Sequence, residues 1–321
     1  MNFMGYRRPD GKAGIRNKVL ILPTCVCSSE TCRIVADQVE GAIYTSNQAG
    51  CSEVEQNLKI CYDMYSGFAA NPNIYGTVLI GLGCEGCTPD KMADAIREKT
   101  NKPLAVVVIQ DEGGTVNAIN KAVKYAREFV QEASLVQKEE IPLSELFIGL
   151  ECGGSDATSG LAANPVVGKV SDLVVDNGGS AVMSETTEFI GAEHILAKRA
   201  ATPEIKKQII GICKNLEEHL ANVNQNLRTG QPTPGNKEGG ISTIEEKSLG
   251  CIYKGGTRPI VEVLDYAQMP TKKGALIMDT PGFDVASVTA MVAGGCQLIV
   301  QVGAHNGERT LVVAHGWFFA H

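Results

Sequence analysis

Aromatic residues are scarce in this 321-residue chain: they form 5% of it, with a single tryptophan. A core built on large rings is thereby excluded, and small side chains with close backbone packing are expected, as in α/β folds with tight strand-to-helix turns. Histidine is as sparse, five in all; His194 and His219 fall in helical stretches and His305, His315 and His321 near the end, which argues against a histidine-built metal site. Basic residues are outnumbered, 29 Lys and Arg against 36 Asp and Glu, and no basic stripe extends beyond Tyr6-Arg-Arg8. A net charge of -7 therefore speaks against a nucleic-acid or membrane-surface partner. No apolar run approaches the ~18 residues of a membrane span, and Met1-Asn-Phe-Met-Gly5 lacks the charged and apolar regions of a secretion signal. A soluble cytoplasmic protein is expected.

What the chain does have is glycine, 35 residues, and cysteine, 11. In a reducing compartment thiols serve metal binding or catalysis more readily than a disulfide framework. Three segments place a thiol among glycines: Gly81-Leu-Gly-Cys-Glu-Gly-Cys87, Leu150-Glu-Cys-Gly-Gly-Ser-Asp156 and Lys247-Ser-Leu-Gly-Cys251. Glycine lets backbone approach a ligand closely, and thiolate is a soft donor for iron or zinc. A single cysteine more often serves as a small buried hydrophobe; the threefold repetition favours a site.

Apolar runs at Lys18–Leu22, Ala42–Tyr44, Gly76–Gly81 and Leu104–Ile109 read as strands, the last fully buried. Helices are expected at Ser29–Val39, opened by a hydroxyl cap, at Glu53–Tyr65 and at Pro89–Lys99, with another opening after Asp111-Glu-Gly-Gly114. Polar residues from Gln131 to Ser144 read as a link. Beyond it come strands at Phe147–Leu150 and Ser180–Met183, helices at Ala192–Arg199 and Pro203–Leu220, and a loop at Thr229–Gly240. Alternating strands and helices imply two Rossmann-like α/β units with largely parallel sheets, over residues 1–140 and 145–321. In such sheets ligands sit beyond the carboxyl ends of the strands, where Cys25, Cys51, Cys84 and Asp111 all fall. Internal repeats and low-complexity tracts are not evident.

Several long motifs in order resemble the altronate and galactarate dehydratase family, which includes sulfolactate sulfo-lyase. They are Gly5-Tyr-Arg-Arg-Pro-Asp-Gly-Lys-Ala-Gly-Ile-Arg-Asn17, Gly81-Leu-Gly-Cys-Glu85, Gly149-Leu-Glu-Cys-Gly-Gly-Ser-Asp156, Ala163-Asn-Pro165, Pro234-Gly-Asn-Lys-Glu-Gly-Gly-Ile-Ser-Thr243 and Glu246-Lys-Ser-Leu-Gly-Cys251. The resemblance covers about residues 5 to 300. It implies a hydro-lyase that dehydrates an altronate- or galactarate-like sugar acid to a 2-keto-3-deoxy acid with iron(II); an iron–sulfur cluster or manganese are the alternative cofactors. Loss of sulfite from sulfolactate, or a non-catalytic metal-binding scaffold, are the rival functions.

Carried over by motif, Cys51, Cys84, Glu151, Cys152 and Cys251 are the implied metal ligands, and Arg16, Asn17, Ser155, Asp156, Asn164 and Asn236 the implied substrate contacts. Glu185, after a strand, and Lys237 and Lys247 are candidates for proton transfer or carboxylate binding, because an α-proton is only weakly acidic and its removal needs a base, an acid and charge neutralisation. Cys84 and Cys152 are expected to approach each other, and Gly5–Asn17 to form an ordered basic arm. Cys25, Cys27, Cys32, Cys61 and Cys213 read as structural, and Cys87 is open between the two roles. Relatives carry a small domain before the equivalent of Gly5, which implies a separate small subunit as partner, alongside a homo-oligomer. They also continue differently after Val300, so a reading-frame shift, an incomplete last domain and a poorly packed tail from Gln301 to His321 are expected.

Overall fold

The structure is a computed structural model that describes residues 1–305 and 309–315, with side chains described through residue 303. The chain divides into two compact units, one of Asn2–Ile141 with Val292–Gln297, the other chiefly of Pro142–Met291 and the segment from Leu298.

In the first unit β1 (Asn2–Arg7), β2 (Ala13–Gly14), β3 (Lys18–Pro23), α1 (Val26–Asp37), β4 (Ala42–Tyr44), α2 (Glu55–Ala70), β5 (Ile74–Gly81), α3 (Pro89–Lys99), β6 (Leu104–Val108), α4 (Thr115–Leu135) and β7 (Glu139–Pro142) follow in order. A parallel sheet runs β4-β3-β5-β6, so the strand order reverses between β3 and β5. Val19, Ile21, Val78, Ile80 and Val107 bury one face of it against Cys32 and Val35 of α1 and Ala118, Ala122 and Ala126 of α4. Each fully buried aliphatic side chain contributes about 1.5–3 kcal/mol.

Three expectations are corrected here. Helix α1 starts at Val26 under Cys25, with no side-chain cap, while Ser29 Oγ bonds Asn47 O instead. Strand β6 is an edge strand, so Leu104, Val106 and Val108 stay half-exposed. The stretch 131–144 is largely structured: α4 continues to Leu135 with Ala133 buried, and β7 joins β1 in a three-stranded sheet of order β2-β1-β7.

In the second unit β8 (Phe147–Cys152), α5 (Asn164–Asp176), β9 (Ser180–Met183), α6 (Glu193–Leu196), α7 (Pro203–Asn222), α8 (Leu227–Gly230), α9 (Pro234–Glu238), α10 (Ile244–Cys251), β10 (Ile260–Leu264), β11 (Ala275–Met278), α11 (Asp284–Ala293), β12 (Leu298–His305) and β13 (Arg309–His315) follow. Their sheet runs β10-β11-β9-β8-β12-β13, parallel except for the antiparallel last pair. The unpartnered tail was an expectation that differs from this pairing: 309–315 hydrogen-bonds along β12, while Trp317–Phe319 lie outside the described residues. The stretch Thr229–Gly240 is likewise not a plain loop. Thr233 and Asn236 form a reciprocal capping box that starts α9 with Pro234 at its first position, where the missing N–H costs nothing.

The chain leaves β8 toward β9 and later crosses to β12 on the other side of β8, which makes the carboxyl end of β8 a switch point. Among the described residues no helix is long and apolar enough to cross a membrane.

Candidate active site

Strand β8 ends in Glu151 and Cys152, both buried at the switch point. Register sets Gln301 and Val302 of β12 beside them. Just past β9, Glu185 has φ 67, a left-handed conformation that costs a side-chain-bearing residue energy and marks functional positions. Its N–H donates to Thr280 Oγ1 at 2.7 Å, and its Oε2 accepts from Cys152 N at 2.8 Å. Glu188 follows one turn on. Helix α10 starts under Thr243, whose hydroxyl accepts from Glu246 N, and brings Lys247 and Cys251 onto one face at i, i+4. The 3₁₀ turn after it adds Lys254.

Cys152, Glu188 and Cys251 thus bring one ligand atom each to within 4.8 Å of one another, and Glu151, Glu185 and Asp284 form a second such group. Ser155 Oγ lies 3.2 Å from Cys152 Sγ and 3.7 Å from Cys251 Sγ. Lys254 Nζ lies 2.8 Å from Glu188 Oε2 and 3.5 Å from Glu185 Oε2, fully buried, and Lys247 Nζ lies 3.5 Å from Glu188 Oε1. Glu151 accepts from Ser184 and Ser287 through Oε2, whereas its buried Oε1 has no hydrogen-bond partner among the described residues.

These surroundings split the carboxylates. Burial raises the Glu185 pKa well above the carboxylate range, with the Glu188 charge adding to the effect. Burial likewise lifts Glu151 to about 8, against the hydrogen bond from Ser287 and the pull of Lys254. Burial opposes the charge on Glu188 too, but Lys254 and Lys247 outweigh it and hold that pKa at about 2. The hydrogen bond with Cys251 and burial push the Cys152 thiol up. Carboxyl groups driven apart in this way supply both a proton holder and a fixed anion.

A cavity of about 280 Å³ opens beside the cluster, lined by Ser155, Asp156, Asn164, Lys247 and Cys251 among others. Its walls are tied by the expected substrate residues. Asn236 Nδ2 donates to Ser155 O at 2.8 Å, Asp156 Oδ1 accepts from Ser159 N at 2.7 Å, and Asn164 Nδ2 donates to Gly250 O at 3.0 Å. Lys237 is exposed on α9 and is not among the lining residues.

Residues 143–305 match the family described as D-galactarate/altronate dehydratase, C-terminal, and residues 5–134 the one described as D-galactarate dehydratase/altronate hydrolase, second domain. The chain belongs to the galactarate and altronate dehydratase family. It is 34% identical over 308 residues to an altronate dehydratase of Bacillus subtilis, covering 93% of this chain and 61% of that protein. To the (2R)-sulfolactate sulfo-lyase subunit beta of Chromohalobacter salexigens it is 37% identical over 295 residues, 91% of this chain and 75% of that one. To the galactarate dehydratase (L-threo-forming) of Escherichia coli it is 34% identical over 319 residues, 94% and 60%. The chain spans about three-fifths of the length of the dehydratases it matches.

The remaining candidates lie in the first unit. Cys51 and Cys84 are exposed in loops after β4 and β5, whereas Cys87 is buried and hydrogen-bonds Cys61. The Cys84 loop is closed by Glu85, which accepts from Thr24 Oγ1 at 2.5 Å, Leu82 N at 2.9 Å and Gly83 N at 2.6 Å. Gly83, at φ +123, needs the freedom of glycine there. The Gly5–Asn17 segment is ordered, but Arg7 and Arg8 are committed to the protein itself. Buried Arg8 donates to Pro72 O, Asn17 Oδ1 and Arg16 O, Asn17 Nδ2 donates to Ala133 O, and Arg7 pairs with Glu139; Arg16 is exposed. Among the cysteines expected to be structural, Cys32 and Cys213 sit in apolar cores, and Cys27 is exposed. Sequence reasoning missed Glu188, Lys254 and Asp284. The spacings Glu185/Glu188 and Lys247/Cys251/Lys254, each repeating on one helical face, were the available signal.

Proposed function

We propose that this chain is the catalytic part of an iron-dependent lyase that removes the proton α to a carboxylate and expels a β-substituent, dehydrating a sugar acid to a 2-keto-3-deoxy acid. The observation that carries this reading is the buried set Glu151, Glu185 and Glu188, gathered around Lys254 beside a cavity at the strand ends, with the pKa of the first two pushed up and that of Glu188 pulled down. Elimination needs one group to take a proton and another to give one. Glu151, titrating near 8, suits the base once it has lost its proton, and Glu185, whose pKa burial raises well above the usual carboxylate value, suits the acid, while Glu188 stays ionised and holds both lysines. Lys247, the cluster lysine that lines the cavity, binds the substrate carboxylate.

Cys152, Cys251 and Glu188 would hold iron(II), since two thiols and a carboxylate suit that ion. Glu151, Glu185 and Asp284 are the all-oxygen alternative, nearer to manganese, and Glu151 Oε1, unpartnered among the described residues, fits a cation there. A bound ion supplies Lewis-acid neutralisation of the charge that builds on the substrate carboxylate. Cys51 and Cys84, in the other unit, are retained as ligands only if their loops reach this cluster in the assembled protein.

The sulfo-lyase relative, covered to 75% of its length and named as a subunit, supports a second reading: loss of sulfite by the same proton abstraction, with a separate small polypeptide as partner. The deciding experiment is anaerobic reconstitution of the protein with iron(II), metal analysis, and turnover of altronate, galactarate and (2R)-sulfolactate, scored as keto acid or sulfite formed. Bound iron with a keto acid product supports the dehydratase. Iron bound without elimination from any of the three would leave a scaffold and sink the lyase reading.

A further inference from the structure

We propose that Cys61 and Cys87, buried and hydrogen-bonded to each other in the first unit, form a redox dithiol that a hydroperoxide converts to a disulfide and a thiol reductant restores. Neither residue lies in the motifs that carry the family resemblance, and neither belongs to the candidate active site. Cys61 sits on α2 and Cys87 in the loop that leads into α3, and the two helices pack together. The pair has polar company. Asn47 Nδ2 donates to Cys61 Sγ at 3.8 Å and to Pro23 O at 3.4 Å, Tyr62 Oη donates to Gly86 O at 3.4 Å, and the backbone of Gly50 and Cys51 passes beside Gly86. Cys32, by contrast, is enclosed by the valines and isoleucines of the core.

The two thiols differ in the way a nucleophile and its resolving partner differ. The hydrogen bond from Cys87 lowers the Cys61 pKa, burial opposes it, and the Asn47 amide adds to the lowering. The same thiol–thiol bond, with burial, raises the Cys87 pKa, and burial alone pushes Cys296 up. Thiolate is the reactive form, so Cys61 attacks first. Its sulfur takes one oxygen from the peroxide O–O bond, and the other oxygen leaves, protonated, as water or an alcohol. The Cys87 sulfur then displaces the hydroxyl from Cys61, gives up its proton and releases water as the S–S bond closes. Two thiols lose two electrons and two protons, and the peroxide gains both. The new bond ties α2 to the loop that carries Cys84 and Glu85 past the end of β5.

The test exposes the full chain, reduced and held with a chelator, to a few equivalents of hydrogen peroxide, then alkylates the remaining thiols in denaturant and maps them by mass spectrometry. Trypsin leaves Cys61, Cys84 and Cys87 on one peptide, so cleavage after Glu85 is added to part Cys84 from Cys87. Alkylation of Cys61 and Cys87 should fall together, at least about fivefold faster than that of Cys32 or Cys213, with a Cys61–Cys87 cross-link that dithiothreitol reverses. Cys87→Ser should leave a sulfenic acid on Cys61 that dimedone traps, and Cys61→Ser should leave Cys87 reduced. Loss at Cys61 no faster than at Cys32, or a bond from Cys61 to Cys51 or Cys84 instead, would overturn the inference from the unaltered chain alone. No outcome depends on turnover, so the lyase reading is judged separately.

Discussion

At the scale of single residues the balance at the site is set by Lys254. It is fully buried, and its ammonium faces two carboxylates, so removing it strands a charge where water cannot reach. Breaking a buried pair from one side costs about 3–5 kcal/mol, whereas replacing both partners by neutral groups is often close to harmless. Lys254→Met is therefore expected to lower the unfolding free energy by about that amount, and Lys254→Met with Glu188→Gln to recover most of it. Denaturant melts of the three proteins check this; a single variant as stable as the parent would mean that Lys254 does not carry the balance. Asp279 gives a pH dependence of its own. Burial raises its pKa, opposed by the hydrogen bond from Thr186 Oγ1. The folded state then binds its proton more tightly than the unfolded state, so the stabilising contribution is present below the unfolded pKa of ~3.9 and is lost as pH rises through the higher folded value. Asp279→Asn keeps an acceptor for Thr186 and should melt higher than the parent at pH 7, with the gap closing toward pH 3.5. A gap constant with pH would count against the titration.

Among the elements, α9 shows how a loop-like composition can hide a positioning device. Asn236 accepts from Thr233 N to cap the helix and donates to Ser155 O, and Ser155 Oγ stands between the two site thiols. Asn236→Ala leaves a buried carbonyl without its donor, at about 1–3 kcal/mol, and frees the Ser155 loop. Faster alkylation of Cys152 and Cys251 by a maleimide, together with a lower melting temperature, is the expected result; unchanged labelling would mean that the loop is held by other contacts. The sequence reading passed over this helix because Pro and Gly crowd the stretch, and its capping box uses Asn where Glu or Gln is usual. It placed α3 and β9 at their observed bounds because Pro89 opens one and Gly178-Gly179 precede the other. Glu151 and Cys152 came from the family motif and Glu185 from its place after a strand, and the three meet at the carboxyl ends of β8 and β9, whereas the carboxyl-end rule itself pointed to Cys25, Cys51, Cys84 and Asp111. Glu188 and Lys254 escaped it, since a charge 66 residues from its partner announces itself only once the chain has folded.

On the scale of the whole molecule, the chain is not two consecutive blocks. From the last two residues of α11 the segment Val292–Gln297 belongs to the first unit, then β12 returns to the second. That short segment answers buried polar groups of the first unit. Asn71 Nδ2 donates to Val292 O and Cys296 O at 3.0 and 2.9 Å, Asn73 Nδ2 to Gln297 O at 2.8 Å, and Gln297 Nε2 to Ala13 O at 2.5 Å. Gly67 permits the approach, because a Cβ there would collide with Ala293 O. A fragment ending at residue 141 keeps every strand of the four-stranded parallel sheet yet loses all of these partners. Each buried polar group left unmet costs about 1–3 kcal/mol, so several together consume much of the 5–15 kcal/mol that holds a typical domain. Fragment 1–141 should consequently melt far below the first transition of the full chain and bind a hydrophobic dye, and appending residues 292–297 through a flexible linker should restore a cooperative transition. A cooperative melt of the bare fragment at the temperature of the full chain would show instead that the four-stranded sheet and its helices suffice, and that Asn71 and Asn73 find water where the returning segment had been.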